Sequence, residues 1–142
     1  AFAGHDAPDA VRTAMTALGD LTELSALRSP EGGIDRRQVV QRLSGRATVA
    51  GLHADPGSLF DGIDLPHRLA LRVEAGRAHT NNDAVVAVLE AARDPRIDAL
   101  LLVVPVRYKS GAVVDPVRER LTTLLQSAGI DLALTGVALS SY

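Results

Sequence analysis

Read for the spacing of its apolar and polar positions, the chain changes period about a third of the way along. From Pro8 to Leu18, Val11, Ala14, Met15 and Leu18 recur at helical spacing, with Asp6 or Asp9 available to cap the start. Gly19 interrupts, and Leu21 to Leu27 continues as a second short helix. Ser29-Pro30-Glu31-Gly32-Gly33 reads as a loop by its helix breakers. Asp35 then caps a helix through Leu43, with Val39, Val40 and Leu43 on one face. Residues 47 to 67 are punctuated by Gly51, Pro56, Gly57, Gly62 and Pro66, which fits a strand or hairpin pair better than a helix.

After Arg68 the pattern sharpens. Arg68 to Ala75 reads as a strand and Asn82 to Arg93 as a helix rich in valine. Asp98 to Val106 is a continuous apolar strand, as a central strand covered on both faces should be. Val114 to Ser127 is amphipathic, with Val117, Leu121, Leu124 and Leu125 inward and Gly129 closing it. Ile130 to Leu139 reads as a last strand, bent at Gly136. This β-α-β-α-β order with short links predicts an α/β fold with parallel pairing through crossover helices. One domain over residues 1–142 is expected, with 1–46 a mainly helical lead-in and 47–142 the sheet core.

Composition narrows the classes. Apolar residues make up 46% of 142, aromatics only 3%, so the core must be built from Leu, Val, Ile and Ala. With no cysteine there is no disulfide framework, thiolate nucleophile or cysteine-based zinc site. The longest apolar run, Ala99 to Val106, is too short to span a bilayer, and no secretory signal is visible. A soluble cytoplasmic protein with no membrane partner is expected. A net charge of −2 argues against a protein that coats nucleic acid generically. Of 15 basic residues only Lys109 is lysine. Arginine suits bidentate phosphate contacts, although a GC-rich genome produces the same bias. Arg28, Arg36, Arg37, Arg42 and Arg46 make the most basic segment, either a solvated helix face or a phosphate-contacting one.

The strongest chemical constellation is acidic. Glu74 stands at a strand's C-terminal end, where open α/β sheets put their chemistry. Asp61 and Asp64 lie in the turn-rich approach Leu59-Phe60-Asp61-Gly62-Ile63-Asp64-Leu65. If residues 59–65 run antiparallel to 68–75 through the Pro66-His67 turn, an Asp and Glu74 meet side by side. Two carboxylates so placed repel unless a cation sits between them, and Mg²⁺ takes one or two carboxylates plus waters and phosphate oxygens. Otherwise the aspartates cap turns and Glu74 pairs with Arg72 or Arg77. Pro105-Val106-Arg107-Tyr108-Lys109-Ser110-Gly111 combines two cations with an aromatic after the central strand, where Arg107, Tyr108 and Lys109 can clamp a phosphodiester or stack a base. His79 could act as a general base or simply be exposed, and Thr80-Asn81-Asn82-Asp83 supplies helix caps. Phosphate-binding loops, dinucleotide fingerprints, nucleophile elbows and paired-histidine zinc motifs are absent from the sequence, so no organic cofactor is expected.

In order, Asp64, the strand Leu69 to Val73 closing on Glu74, a helix, and Asp98-Ala99-Leu100-Leu101-Leu102-Val103-Val104-Pro105 resemble the PD-(D/E)XK nuclease core, nearest the restriction enzymes of the BamHI and BglII type. The resemblance covers roughly residues 59 to 139. It implies a restriction-endonuclease-like mixed central sheet flanked by helices, and a Mg²⁺-dependent endonuclease acting on double-stranded DNA as a homodimer in a restriction or defence system. Carried over, Asp64 is the metal-binding Asp, with Asp61 a second candidate, and Glu74 is the first acid of the strand motif. The chain departs from the pattern two residues after Glu74. There the superfamily carries Lys, and the close relatives Glu or Gln, but this chain has Gly76. Arg77, next along, and Arg72, on Glu74's face, could stand in for that group only by local rearrangement. The same resemblance therefore also implies a second reading, a catalytically silent nuclease-like domain that binds DNA or a protein partner within a larger assembly. A third is a small α/β domain with an unrelated ligand.

Overall fold

A computed structural model describes residues 2–4, 7–76, 81–127 and 132–142. Each helix forms where the apolar spacing favours one. Helix α1 (Asp9–Leu18) buries Val11, Ala14 and Leu18 and stops at Gly19, whose φ of 66° a side chain would resist. A 3₁₀ turn (Thr22–Ala26) follows. Helix α2 (Arg36–Val49) starts where the Asp35 side chain accepts a hydrogen bond from the Gln38 amide, and it buries Val39, Leu43 and Ala47. Helices α3 (Asp83–Arg93) and α4 (Val114–Gln126) bury Ala84, Ala87, Val88 and Ala91, and Val114, Val117 and Leu121.

Among the described residues there are also seven strands. They are β1 (Phe2–Gly4), β2 (Gly62–Asp64), β3 (Leu69–Val73), β4 (Ala99–Val104), β5 (Arg107–Tyr108), β6 (Gly111–Ala112) and β7 (Gly136–Ser141). Five form one mixed sheet in the order β1-β7-β4-β3-β2. Strands β3, β4 and β7 are parallel, and β1 and β2 run antiparallel at the two edges. The β3-α3-β4-α4-β7 succession makes this a mixed α/β architecture.

Alternation along the strands assigns the layers. Leu69, Leu71, Val73, Leu101 and Val103 face a cluster with α1, the 3₁₀ turn and α2. Ala70, Leu100, Leu102, Val104 and Leu139 face a second cluster with α3 and α4. The central β4 is buried over its whole length, which explains its unbroken apolar sequence. Among the described residues no helix is long and apolar enough to cross a membrane.

Four sequence expectations shift. Helix α2 does not stop at Leu43 but runs six residues further, because Ala47 completes the stripe begun by Val39 and Leu43. It ends at Val49, and Gly51 just beyond, with a φ of 85°, lets the amide of Leu52 reach back to the Ala47 carbonyl. The hairpin pair expected across 47–67 therefore contracts to β2 and a bridge between His53 and Ile63. The last strand, expected over Ile130 to Leu139, runs from Gly136 to Ser141, drawn on by pairing with Val104; residues 130 and 131 lie outside the described residues. The turn expected over Pro105 to Gly111 forms a small hairpin in which Arg107 pairs with Ala112 and Tyr108 with Gly111.

Candidate functional site

The carboxylates divide between two ends of β3. Gly62 pairs with Leu71 and Asp64 with Leu69, so Asp64 lies at the start of β3 and Glu74 just past its finish. The five residue steps from Leu69 to Glu74 amount to about 16 Å of strand. Oxygens sharing one Mg²⁺ must each lie at ~2.1 Å from it. The expected Asp64–Glu74 metal pair is therefore not assembled. The reason is register: the antiparallel turn at Pro66-His67 sends Asp64 to the far end of its neighbour. Asp64 is instead held locally, its two oxygens taking the His67 amide at 3.2 Å and meeting His67 Nδ1 at 2.7 Å.

Asp61 is the acid that shares an end with Glu74. Its amide donates to the Leu71 carbonyl at 2.8 Å, the last backbone bond on that side of β3. Beyond it β2 supplies no further partner, and side chains take over. Asp61 Oδ2 accepts from the Val73 amide at 2.7 Å, while Arg36 Nε donates to the Val73 carbonyl at 2.8 Å. Arg36 Nη2 closes the triangle with 2.7 Å bonds to both Asp61 oxygens. The Asp61–Arg36 pair thus extends the ladder by one residue, satisfying a peptide that an edge would leave open. Arg36, expected to contact phosphate, is committed to this internal role.

Glu74 continues β3 by donating its amide to the Val103 carbonyl at 2.8 Å. Only 3% of its surface is exposed. Strand alternation puts its side chain with Arg72 on the α3–α4 face, where Arg72 Nε donates to Glu74 Oε1 at 2.6 Å. Arg72 Nη1 is fixed in turn by the Leu59 carbonyl at 2.6 Å. Burial pushes the Glu74 carboxyl above its ordinary value; Arg72 and, less strongly, Arg36 pull it back, and Asp83 at the start of α3 adds to the rise. Tyr142, itself buried, donates its hydroxyl to the Glu74 carbonyl at 2.8 Å. Burial raises that phenol too.

Gly76 has a definite packing role. A Cβ there would lie 1.8 Å from Cδ2 of Tyr108 and 1.9 Å from Cγ, so the ring occupies the space beside the glycine where a side chain would begin. The Tyr108 hydroxyl reaches Gly33, where a Cβ would sit 2.8 Å away. Tyr108 therefore fills the space that a side chain two residues after Glu74 would need. It also pins the β5–β6 hairpin to the loop before α2. Lys109 caps the hairpin at φ 54°, with Nζ 5.7 Å from the centre of the Tyr108 ring. Arg107, Lys109, Arg28 and Arg37 are exposed around this edge, with Arg107 Nη2 on the Ser110 carbonyl at 2.7 Å. Through Tyr108, the loop at Gly33 and the start of α2 thus meet the Arg107–Lys109 hairpin beside Glu74, whereas Arg46, further along α2, is bound to Glu23. Arg77 and His79 lie outside the described residues.

Sequence spacing gave no sign of the Arg36–Asp61 bond or of Tyr108 on Gly76, since each joins segments 25 or more residues apart. The only advance signal was the glycine itself, in a position where the nuclease family that the sequence resembles carries a side chain. Among the described residues, no group of three or more His, Asp or Glu side chains is placed to hold a metal ion. Compared with known proteins, the chain matches no family model, no curated protein and no solved structure.

Proposed function

We propose that this chain is a restriction-endonuclease-like cytoplasmic domain that binds the backbone of double-stranded DNA without cutting it. The observation that carries the binding is the convergence of Arg28 and Arg37 with Arg107 and Lys109 around the C-terminal edge of β3 and β4, through the contacts of Tyr108 with both Gly33 and Gly76. Four exposed cations on one edge suit phosphates, which position a protein without reading sequence. With a net charge of −2, the attraction must come from this local edge rather than from the whole molecule.

The absence of cleavage rests on different atoms. Asp61 and Glu74, the acids beside the end of β3, already hold guanidinium cations, and the position that usually activates water is Gly76 beneath an aromatic ring. Arg36 and Arg72 supply the positive charge that a divalent ion would otherwise bring. The test is fluorescence anisotropy of a labelled duplex at several salt concentrations. Arg107→Ala and Lys109→Ala are each expected to weaken binding for every duplex sequence and to reduce the salt slope by about 1. Equal affinity for wild type and the double variant would reject the assignment.

A Mg²⁺-dependent endonuclease, active as a homodimer, is the second reading. It is favoured by Asp61 and Glu74 sharing one end of β3, and it requires DNA to draw Arg36 and Arg72 off their carboxylates. Incubating plasmid with Mg²⁺ or Mn²⁺ distinguishes the two. Cleavage that disappears in Glu74→Ala would establish the endonuclease and displace the binding-only reading.

A further inference from the structure

At the opposite end of β3, away from the basic edge, a cavity of about 530 Å³ opens between the end of α2 and the β2–β3 turn. Its size falls in the range of small-ligand sites. The walls are aliphatic, from Val49, Ala50, Ile63, Leu65 and Pro66, and Asp64, Asp55, His53 and His67 supply the polar lining. Val49 and Leu65 are exposed at 83% and 56%, so apolar surface faces water at the mouth. Asp64 is the contrast, with a side chain only 9% exposed.

Three features make that carboxylate a receptor rather than a spent group. Each oxygen has one described partner, the His67 amide on Oδ1 and His67 Nδ1 on Oδ2, whereas a carboxylate offers about four acceptor sites. His67 is 61% exposed and belongs to the same turn, so its ring can yield without disturbing the core. Gly51, at φ 85°, leaves open the space where a Cβ would stand 3.0 Å from Oδ2. An aliphatic chamber with a carboxylate at its base complements a group that is cationic at one end and apolar along its body. A metal ion is the poorer fit, since no three described His or acidic side chains converge here.

We propose that this cavity binds an aliphatic amine, its ammonium on Asp64 and its chain along Val49, Ile63 and Leu65. The site is independent of the DNA-binding edge. The experiment follows backbone amide resonances of the intact chain during titration with n-hexylammonium, using n-hexanol as the uncharged match. Hexylammonium is expected to give saturable shifts at Gly51, His53 and His67, with n-hexanol at least tenfold weaker. Asp64→Asn is expected to abolish the shifts, and folding is checked on the resonances of β4. His67→Ala leaves the carboxylate in place without its internal partner, so it is expected to bind several-fold tighter. Leu65→Lys, at an exposed position, is expected to compete by placing an ammonium in the mouth. No saturable shift in wild type, equal binding of n-hexanol, or undiminished binding by a folded Asp64→Asn would each overturn the site. Weaker binding by a folded His67→Ala would assign recognition to the imidazole and equally reject the proposal.

Discussion

At the C-terminal end of β3, Asp61 and Glu74 each meet an arginine and are anchored through the backbone of β3, whereas at its N-terminal end Asp64 meets only His67 in its own turn. All three acids are largely shielded from water, yet they are held differently. Asp61 and Glu74 belong to a network joining α2, β2, β3 and the loop at Leu59, and moving either disturbs several peptides. Asp64 belongs to a turn, and its partner is mostly exposed. Burial alone therefore does not identify a working carboxylate. What distinguishes them is how many other elements must move before the acid can accept a new partner.

Arg36→Ala is the harshest test of that contrast. It leaves the Asp61 carboxylate without its charge partner and the Val73 carbonyl without a donor. A loss of about 3 kcal/mol in denaturant unfolding is expected, as for breaking a shielded ion pair by removing one side. A loss no greater than that of an ordinary surface substitution would show that the network is not structural.

Gly76→Ala comes next. The added methyl collides with the Tyr108 ring, so the ring or the hairpin must shift, with an expected cost of about 1–3 kcal/mol. Tyr108→Ala in the same chain should relieve most of the collision. Simple additivity in the double-mutant cycle would mean that the ring does not rest on the glycine.

Glu74→Gln gives a smaller, pH-dependent change. Burial raises the folded carboxyl above its ordinary 4.5, so the folded chain holds that proton more firmly than the unfolded chain does. Glu74 therefore stabilises least when ionised, and its contribution falls as pH rises from about the unfolded value through the raised one. Gln does not titrate. Wild type is expected to lose stability relative to Glu74→Gln as pH rises across that window, then to run parallel above it. A difference independent of pH would contradict the assigned shift.

The smallest effect belongs to the far end. Arg68 pairs with Asp98 at 2.6 Å, both about half exposed. Arg68→Ala is expected to move the unfolding midpoint least, and added salt should remove even that difference. A loss comparable to Arg36→Ala would erase the contrast between the two ends.

Much of the fold was legible because it depends on local period. The stripes of α1 and α4, the unbroken apolar run of β4 and the antiparallel approach of β2 to β3 are readable from neighbours three, four or two residues apart, whereas the valine-rich reading of α3 missed its buried alanine face, which leaves Val86 and Leu89 exposed. The end of α2 was not, because Thr48 and Val49 carry strand propensity that Ala47's place in the core overrides. Strand β1 was not, because its pairing partner in β7 lies over 130 residues away. For the site, Glu74 at a strand's end and its bond to Arg72 were within reach of sequence, being two residues apart on one face.

The sequence by itself determined the layered α/β plan, the strand-end position of Glu74 and the missing side chain at Gly76, since periodicity and residue identity act over short distances. Only the tertiary structure decided which acids share an end of β3, because a one-strand register places Asp61 with Glu74 and Asp64 about 16 Å away. It alone decided that Arg36 would serve the sheet and that Tyr108 would lie on Gly76, because both contacts close long loops whose geometry no local pattern encodes.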